Sequence, residues 1–415
     1  MPDAPNLLYA QSGGVTSVIN ATAWGVATAA AASPKVGRVY AGRNGILGVL
    51  AEELIDVTAE DKREIAKLRH TPGGAFGSCR LKLTDPAKDS RSFERIAEVF
   101  KAHRIGYFLY NGGNDSQDTT NKVAEFCRAR GVDVRCVGIP KTVDNDLAAT
   151  DCCPGFGSVA KYVAATVAET ALDVESMART STKLFILEVM GRHAGWIAAA
   201  GGLPYPAAGP VILALPEVPH KRFFAAVKAK IAKHGYCVVV ASEGLADAKG
   251  RHLSERGTKD SFAHAQLGGV AAVLAERAKA KLGVKYHWAL ADYMQRAARH
   301  LSSQVDLDQA AKVGQAAVAY ATAGKTQVMP AIVRTSDRPY RWTVKPVPLQ
   351  EVANKERKLP KGYVTADGYY ITAACRRYLQ PLIAGEAPQP YRDGLPVHAR
   401  LRRRAVRKKL PAFRV

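Results

Sequence analysis

From residue 7 to residue 322, short apolar runs alternate with stretches of helical composition. Residues 7–10, 36–40, 105–110, 134–139, 183–189, 211–215, 236–241 and 286–291 read as strands. Residues 17–32, 90–103, 117–130, 158–178, 220–233, 261–281 and 302–322 read as helices, with another starting near His193. A hydroxyl is expected to cap the first helix. This alternation predicts an α/β fold with mainly parallel sheets wrapped by helices. Ligands in such folds bind beyond the carboxyl ends of the strands. Two strand ends stand out: one runs into Asn111-Gly-Gly-Asn-Asp-Ser116, the other into Pro140-Lys-Thr-Val-Asp-Asn-Asp146. The first offers bare backbone amides. The second offers a cation, a hydroxyl and two carboxylates. Facing one crevice, they suit holding a phosphate while removing a proton from a nucleophile.

With 415 residues, 47% of them hydrophobic, the chain can build two or three domains and a sizeable core. No apolar run is long enough to span a bilayer, and Met-Pro-Asp-Ala-Pro-Asn at the N-terminus lacks a secretory pattern. A cytoplasmic protein is expected. The 7 cysteines show no Cys-x-x-Cys spacing, so no metal site or disulfide framework is expected from them. The net charge is +22, which favours anionic partners, either phosphorylated metabolites or nucleic acid. Arg400, Arg402, Arg403, Arg404, Arg407, Lys408, Lys409 and Arg414 concentrate part of it in a basic tail. From about Thr326 prolines and charges cluster, and an irregular C-terminal extension with a mobile tail is expected.

Four turns carry residue types suited to phosphate chemistry. Gln11-Ser-Gly-Gly-Val-Thr16 follows the first strand, and Gly13 and Gly14 let backbone amides approach a phosphate. His70-Thr-Pro-Gly-Gly-Ala-Phe-Gly-Ser-Cys-Arg80 ends in an arginine able to neutralise a phosphoryl group. In the third turn, Gly112 and Gly113 supply amides, and Asn114 and Asp115 supply oxygens suited to Mg²⁺ or to shaping the pocket. Ser116 is a candidate helix cap. In the fourth, Asp144 and Asp146 point alike if the loop is extended, and Lys141 places a compact positive charge. Taken singly, each turn also fits a tight bend or a capped helix.

Their order decides. Together with Glu188-Val-Met-Gly-Arg-His-Ala-Gly195, Ala241-Ser-Glu-Gly244 and Tyr293-Met-Gln-Arg296, these segments resemble the phosphofructokinase family, in particular its pyrophosphate-dependent branch. The resemblance covers about residues 5–310 in order. It implies two doubly wound α/β domains, one over 1–146 completed by part of 290–325 and one over 147–289, followed by the extension 326–415. It also implies transfer of a phosphoryl group from pyrophosphate to the 1-hydroxyl of fructose 6-phosphate, with Mg²⁺.

Residue by residue, the resemblance makes Asp144 the general base, with Thr142 and Asp146 beside the transferred group. Met190, Gly191, Arg192 and Glu243 match sugar-binding positions, and Tyr293 and Arg296 match the grip on the sugar's own phosphate. Lys183 falls where many members have an arginine reaching across a subunit boundary, which implies a homodimer or homotetramer. Asp115 and Lys141 stand where ATP-dependent members have glycine, and so imply selection for pyrophosphate against ATP. Asn114 replaces an aspartate near Mg²⁺. Two rival readings remain at this level: an ATP-dependent sugar-phosphate kinase on the same fold, and, from the charge, a nucleic-acid-binding protein.

Overall fold

The computed structural model describes residues 4–247, 251–253, 255–259 and 265–414. The chain first lays down β1 (Asn6–Gln11), β2 (Val39–Gly42), β3 (Leu54–Asp56), β4 (Ile105–Gly112) and β5 (Arg135–Pro140). It continues with β6 (Leu184–Val189), β7 (Val211–Ala214) and β8 (Cys237–Ser242). A short antiparallel pair, β9 (Glu255–Lys259) and β10 (Ala265–Leu267), precedes β11 (Tyr286–Leu290). β12 (Val328–Asp337) and β13 (Tyr340–Pro348) follow, and a two-residue antiparallel pair, β14 (Tyr391–Arg392) and β15 (Leu395–Pro396), comes last.

Two sheets result. The larger runs β13-β12-β5-β4-β1-β2-β3, and the smaller runs β11-β6-β8-β7. The smaller is parallel throughout. In the larger, only the outer pairs β2–β3 and β12–β13 are antiparallel. Neighbouring residues on both faces are fully covered, for example Leu7 and Leu8 in β1 and Val238, Val239 and Val240 in β8. That is the burial expected of parallel strands sandwiched by helices, and it explains why these strands read as unbroken apolar runs.

The helix Gln304–Thr322 returns to pack against Ile19–Ala32, beside the first sheet. Glycine makes the crossing close. A Cβ on Gly25 would sit 2.2 Å from Ala311 O, and one on Gly314 would sit 2.3 Å from Thr22 O.

Several local expectations need correction. The first helix begins at Ile19 without a side-chain cap; instead Val18 N donates to Thr16 Oγ1 at 3.2 Å. The helix expected over 261–281 runs over Val270–Leu282. Residues 261–264 of that expectation lie outside the described residues, and Ala265–Leu267 is strand. The extension is only partly irregular, since β12 and β13 complete one edge of the larger sheet. Prolines hid this hairpin. Pro346 and Pro348 fall on the edge strand, where a missing N–H costs least.

Candidate active site

Register brings the polar turns together. β1, β4 and β5 are adjacent and parallel, with Gln11 opposite Asn111 and Gly112 opposite Pro140. The turns after them therefore leave the same edge of the sheet side by side. The second turn, which ends at Arg80, joins them from outside the sheet. Ser12 bridges Cys79, Gly13 N donates to Cys79 O at 2.9 Å, and Ser78 Oγ donates to Gly13 O at 2.7 Å. These bonds carry Arg80 to the first glycine turn.

The smaller sheet does the same on the facing side. β11, β6 and β8 are neighbours, with Leu290 opposite Glu188 and Glu188 opposite Ala241. Their ends lead into Met190–Arg192, Glu243 and the helix Asp292–Ala297. Glu243 N donates to Val189 O at 2.9 Å, and Arg192 N donates to Glu243 Oε1 at 3.3 Å. A cleft of about 810 Å³ lies between the two sets of turns.

One wall of the cleft is cationic. A Cβ on Gly13 would lie 3.3 Å from Lys141 Nζ. A Cβ on Gly14 would lie 2.6 Å from Arg296 Nη1 and 3.6 Å from Arg80 Nη2. Three positive side chains thus crowd a turn without side chains of its own, which is an anion cradle. The helix Asn114–Ala129 adds its N-terminus, since Gly113, Asn114 and Asp115 all line the cleft. Because that helix starts at Asn114, Ser116 lies inside its first turn and is not the cap.

The carboxylates stand beside this cradle. Lys141 N donates to Gly112 O at 3.2 Å, and Thr142 bridges Gly155, so the loop after β5 is held at both sides. It is not extended throughout: Asn145 adopts a left-handed φ of 57°. Asp144 and Asp146 still both line the cleft. Burial and the neighbouring Asp146 push the Asp144 carboxyl up to about 6. Asp146 is also raised, by burial first and by the charge of Glu356. Burial lowers the Lys141 ammonium to about 8, against the pull of Asp144. Across the cleft, burial and the charge of Asp144 raise Glu243 to about 7.

Most of the residues singled out from the sequence line this one cleft, although Gly112 and Gly191 are buried behind its surface. Three others differ in placement. Lys183 lies outside the cleft of the single chain, and its ammonium donates to Ala178 O at 2.9 Å. Arg296 stacks 3.8 Å from the centroid of the Tyr293 ring and reaches Gly14, on the side expected for the donor. With the Asn114 amide turned to donate, its nitrogen lies 3.0 Å from both Val352 O and Lys355 O, so this amide holds the 352–355 turn.

Sequence reasoning missed Lys82, Asn354 and Glu356, which also line the cleft. Lys82 Nζ pairs with Asp115 Oδ1 at 2.9 Å. Its position two residues after Arg80, on a strand-like spacing, was the one available signal. Nothing in the sequence pointed to Asn354 or Glu356.

A divalent cation would find one ready oxygen. Asp146 Oδ1 is buried with no hydrogen-bond partner among the described residues. The same residues contain no group of three or more His, Cys, Asp or Glu suited to a metal. That donor set fits a hard ion held by one or two protein oxygens and completed by substrate phosphate and water, as Mg²⁺ is commonly bound.

A parallel α/β frame that sets an anion cradle beside paired carboxylates defines a phosphoryl-transfer enzyme. The family model described as Phosphofructokinase matches residues 6–321, and the chain belongs to that family. It is 57% identical over 414 residues to the pyrophosphate–fructose 6-phosphate 1-phosphotransferase of Methylococcus capsulatus, covering 99% of each chain. It is 56% identical to the protein of the same name from Xanthomonas campestris, covering 98% of this chain and 99% of that one. The crystal structure of a pyrophosphate-dependent phosphofructokinase from Nitrosospira multiformis superposes with a TM-score of 0.92 at 52% identity, covering 99% of this chain and 100% of that one.

Proposed function

We propose that this chain transfers a phosphoryl group reversibly from pyrophosphate to the 1-hydroxyl of fructose 6-phosphate, giving fructose 1,6-bisphosphate and orthophosphate. The observation that carries the reading is the cationic glycine turn beside Asp144 in one cleft. Full-length identity to proteins named for this reaction supports the choice of substrates. The larger sheet, with residues 1–146 and the returning 290–325, would bind the donor. The smaller sheet, with 147–289, would bind the sugar phosphate.

The chemistry follows from the positions. Gly14 and Gly113 present amides to pyrophosphate oxygens, Gly13 and Gly112 shape the turns that carry them, and Lys141, Arg80 and Arg296 offset the charge. Asp144, ionised at neutral pH, takes the proton of the 1-hydroxyl as that oxygen bonds to phosphorus. The bond from phosphorus to the bridging oxygen breaks, and orthophosphate leaves. Thr142, whose Oγ1 accepts from Asp144 N at 3.1 Å, favours the ionised form of Asp146 beside the transferred group. Glu243, poised near neutrality, pairs with sugar hydroxyls, while Met190, Gly191 and Arg192 shape the sugar's seat.

When bound, Mg²⁺ would neutralise charge on the donor. Asp146 would hold it, and Asn114, engaged with the 352–355 turn, would take part only through a shared water. Tyr293 at the rim, and Lys183 from a neighbouring chain, would grip the sugar's own phosphate, making the enzyme a homodimer or homotetramer. Soluble phosphorylated substrates support a cytoplasmic location. No helix among the described residues is long and apolar enough to cross a membrane.

Replacing the base tests this. Asp144→Asn should keep the circular-dichroism spectrum and the calorimetric binding of pyrophosphate, while kcat falls by about 10²–10⁴-fold. Turnover close to wild type would remove Asp144 from the reaction.

A further inference from the structure

The match to the family ends at residue 321, yet a segment well beyond it enters the active site. Glu356 bridges Leu147 in antiparallel fashion, and Arg357 N donates to Asp146 O at 2.7 Å. The Arg357 side chain then binds the catalytic loop from behind. Nε and Nη2 donate to Asn145 O at 3.2 and 2.9 Å. Nη1 donates to Thr150 O at 2.7 Å and to Asp151 O at 2.6 Å. The guanidinium lies 4.8 Å from the centroid of the Trp196 ring, whose Nε1 donates to Arg357 O at 3.1 Å. No carboxylate pairs with Arg357 among the described residues, so its donors are directed at main-chain carbonyls and, from Nη2 at 3.4 Å, at Tyr378 Oη.

We propose that Arg357 is a positioning residue for the reaction, fixing the loop conformation that presents Asp144 and Asp146 to the substrates. Asn145, between the two aspartates, is the point of control. Its left-handed backbone, at φ 57°, is one that asparagine adopts readily, and the contacts around it fix it there. Its carbonyl is gripped twice by Arg357, its Nδ2 donates to Tyr378 Oη at 3.0 Å, and its Oδ1 accepts from Cys153 N at 3.0 Å. Tyr378 Oη in turn donates to Asp151 O at 2.5 Å. Arg357 and Tyr378, both beyond residue 321, therefore close a clamp around this one peptide. The arginine fork does what a lysine cannot, because it spans three carbonyls at fixed angles. A small displacement of the base costs rate and leaves binding nearly intact, since the geometry matters most in the transition state.

This inference rests on the proposed reaction and is tested with the full chain on pyrophosphate and fructose 6-phosphate. Arg357→Lys should stay folded, with KM for both substrates within about threefold of wild type and kcat lowered by roughly 10–100-fold. Added guanidinium should restore part of the kcat of Arg357→Ala, which a merely structural loss would not allow. A folded Arg357→Lys with kcat within about twofold of wild type overturns the proposal. If Arg357→Lys does not fold, the near-isosteric Tyr378→Phe decides: lower kcat at unchanged KM supports the clamp, and unchanged kcat overturns it. Wild-type protein without pyrophosphate-driven turnover would instead strike the proposed function.

Discussion

At the residue scale, the charge states of Lys141 and Asp144 govern when the site can work. Asp144 is raised to about 6 by burial and by Asp146, so it is an effective base only above that pH. Lys141 is lowered to about 8 by burial, so it loses its charge, and its hold on phosphate, above that pH. Activity should therefore rise through about pH 6 and fall through about pH 8, and a kcat/KM profile for fructose 6-phosphate reads both limbs. Lys141→Arg, permanently charged, should flatten the alkaline fall; an unchanged alkaline limb in that variant would assign it to another group. Asp144, Lys141 and the glycine pairs were legible in the sequence because each follows a strand end within one turn. Lys82 was not, because a lysine in a polar loop shows no partner until the fold brings Asp115 to 2.9 Å. Glu356 and Arg357 were not, because they lie more than two hundred residues from the loop they touch and follow no strand-end motif.

At the element scale, the basic tail behaves as a strap. Its backbone amides are bound by buried or half-buried glutamates of the first sheet's surroundings: Arg400 N by Glu64, Arg402 N and Arg403 N by Glu60, and Lys409 N and Leu410 N by Glu52. Ala405 bridges Ile55 in β3, and Leu410 and Phe413 pack on the core. The expectation of a mobile tail failed because charge is a side-chain property, whereas this strap binds through its main chain. Glu52, whose side chain is fully buried and 2.6 Å from His103 Nε2, is the strongest anchor. Glu52→Gln turns an amide N–H₂ toward donors and should cost about 3 kcal/mol, measured as a lower urea midpoint with an unchanged m-value. An unchanged midpoint would show that the strap contributes nothing to stability. The strand–helix rhythm made most central elements legible. The hairpin β12–β13 was not, because edge strands tolerate the prolines that otherwise signal irregular chain.

At the scale of the whole molecule, two parallel sheets turn their strand ends toward one cleft, and a basic protein of net charge +22 draws anions to it. The same charge suggested nucleic acid, whereas the cations that line the cleft suit a small anion. The central claim concerns the donor. Asp115, paired with Lys82 at 2.9 Å, lines the cleft, and we infer that its carboxylate would repel the added phosphate of a nucleotide donor. Like charges placed together cost several kcal/mol, so about a hundredfold discrimination is expected. The direct measurement is kcat/KM for pyrophosphate and for ATP, taken on the same preparation with fructose 6-phosphate and Mg²⁺ held constant. Pyrophosphate should be favoured by about a hundredfold or more; a ratio near one, or a preference for ATP, would show that Asp115 and Lys141 do not select the donor.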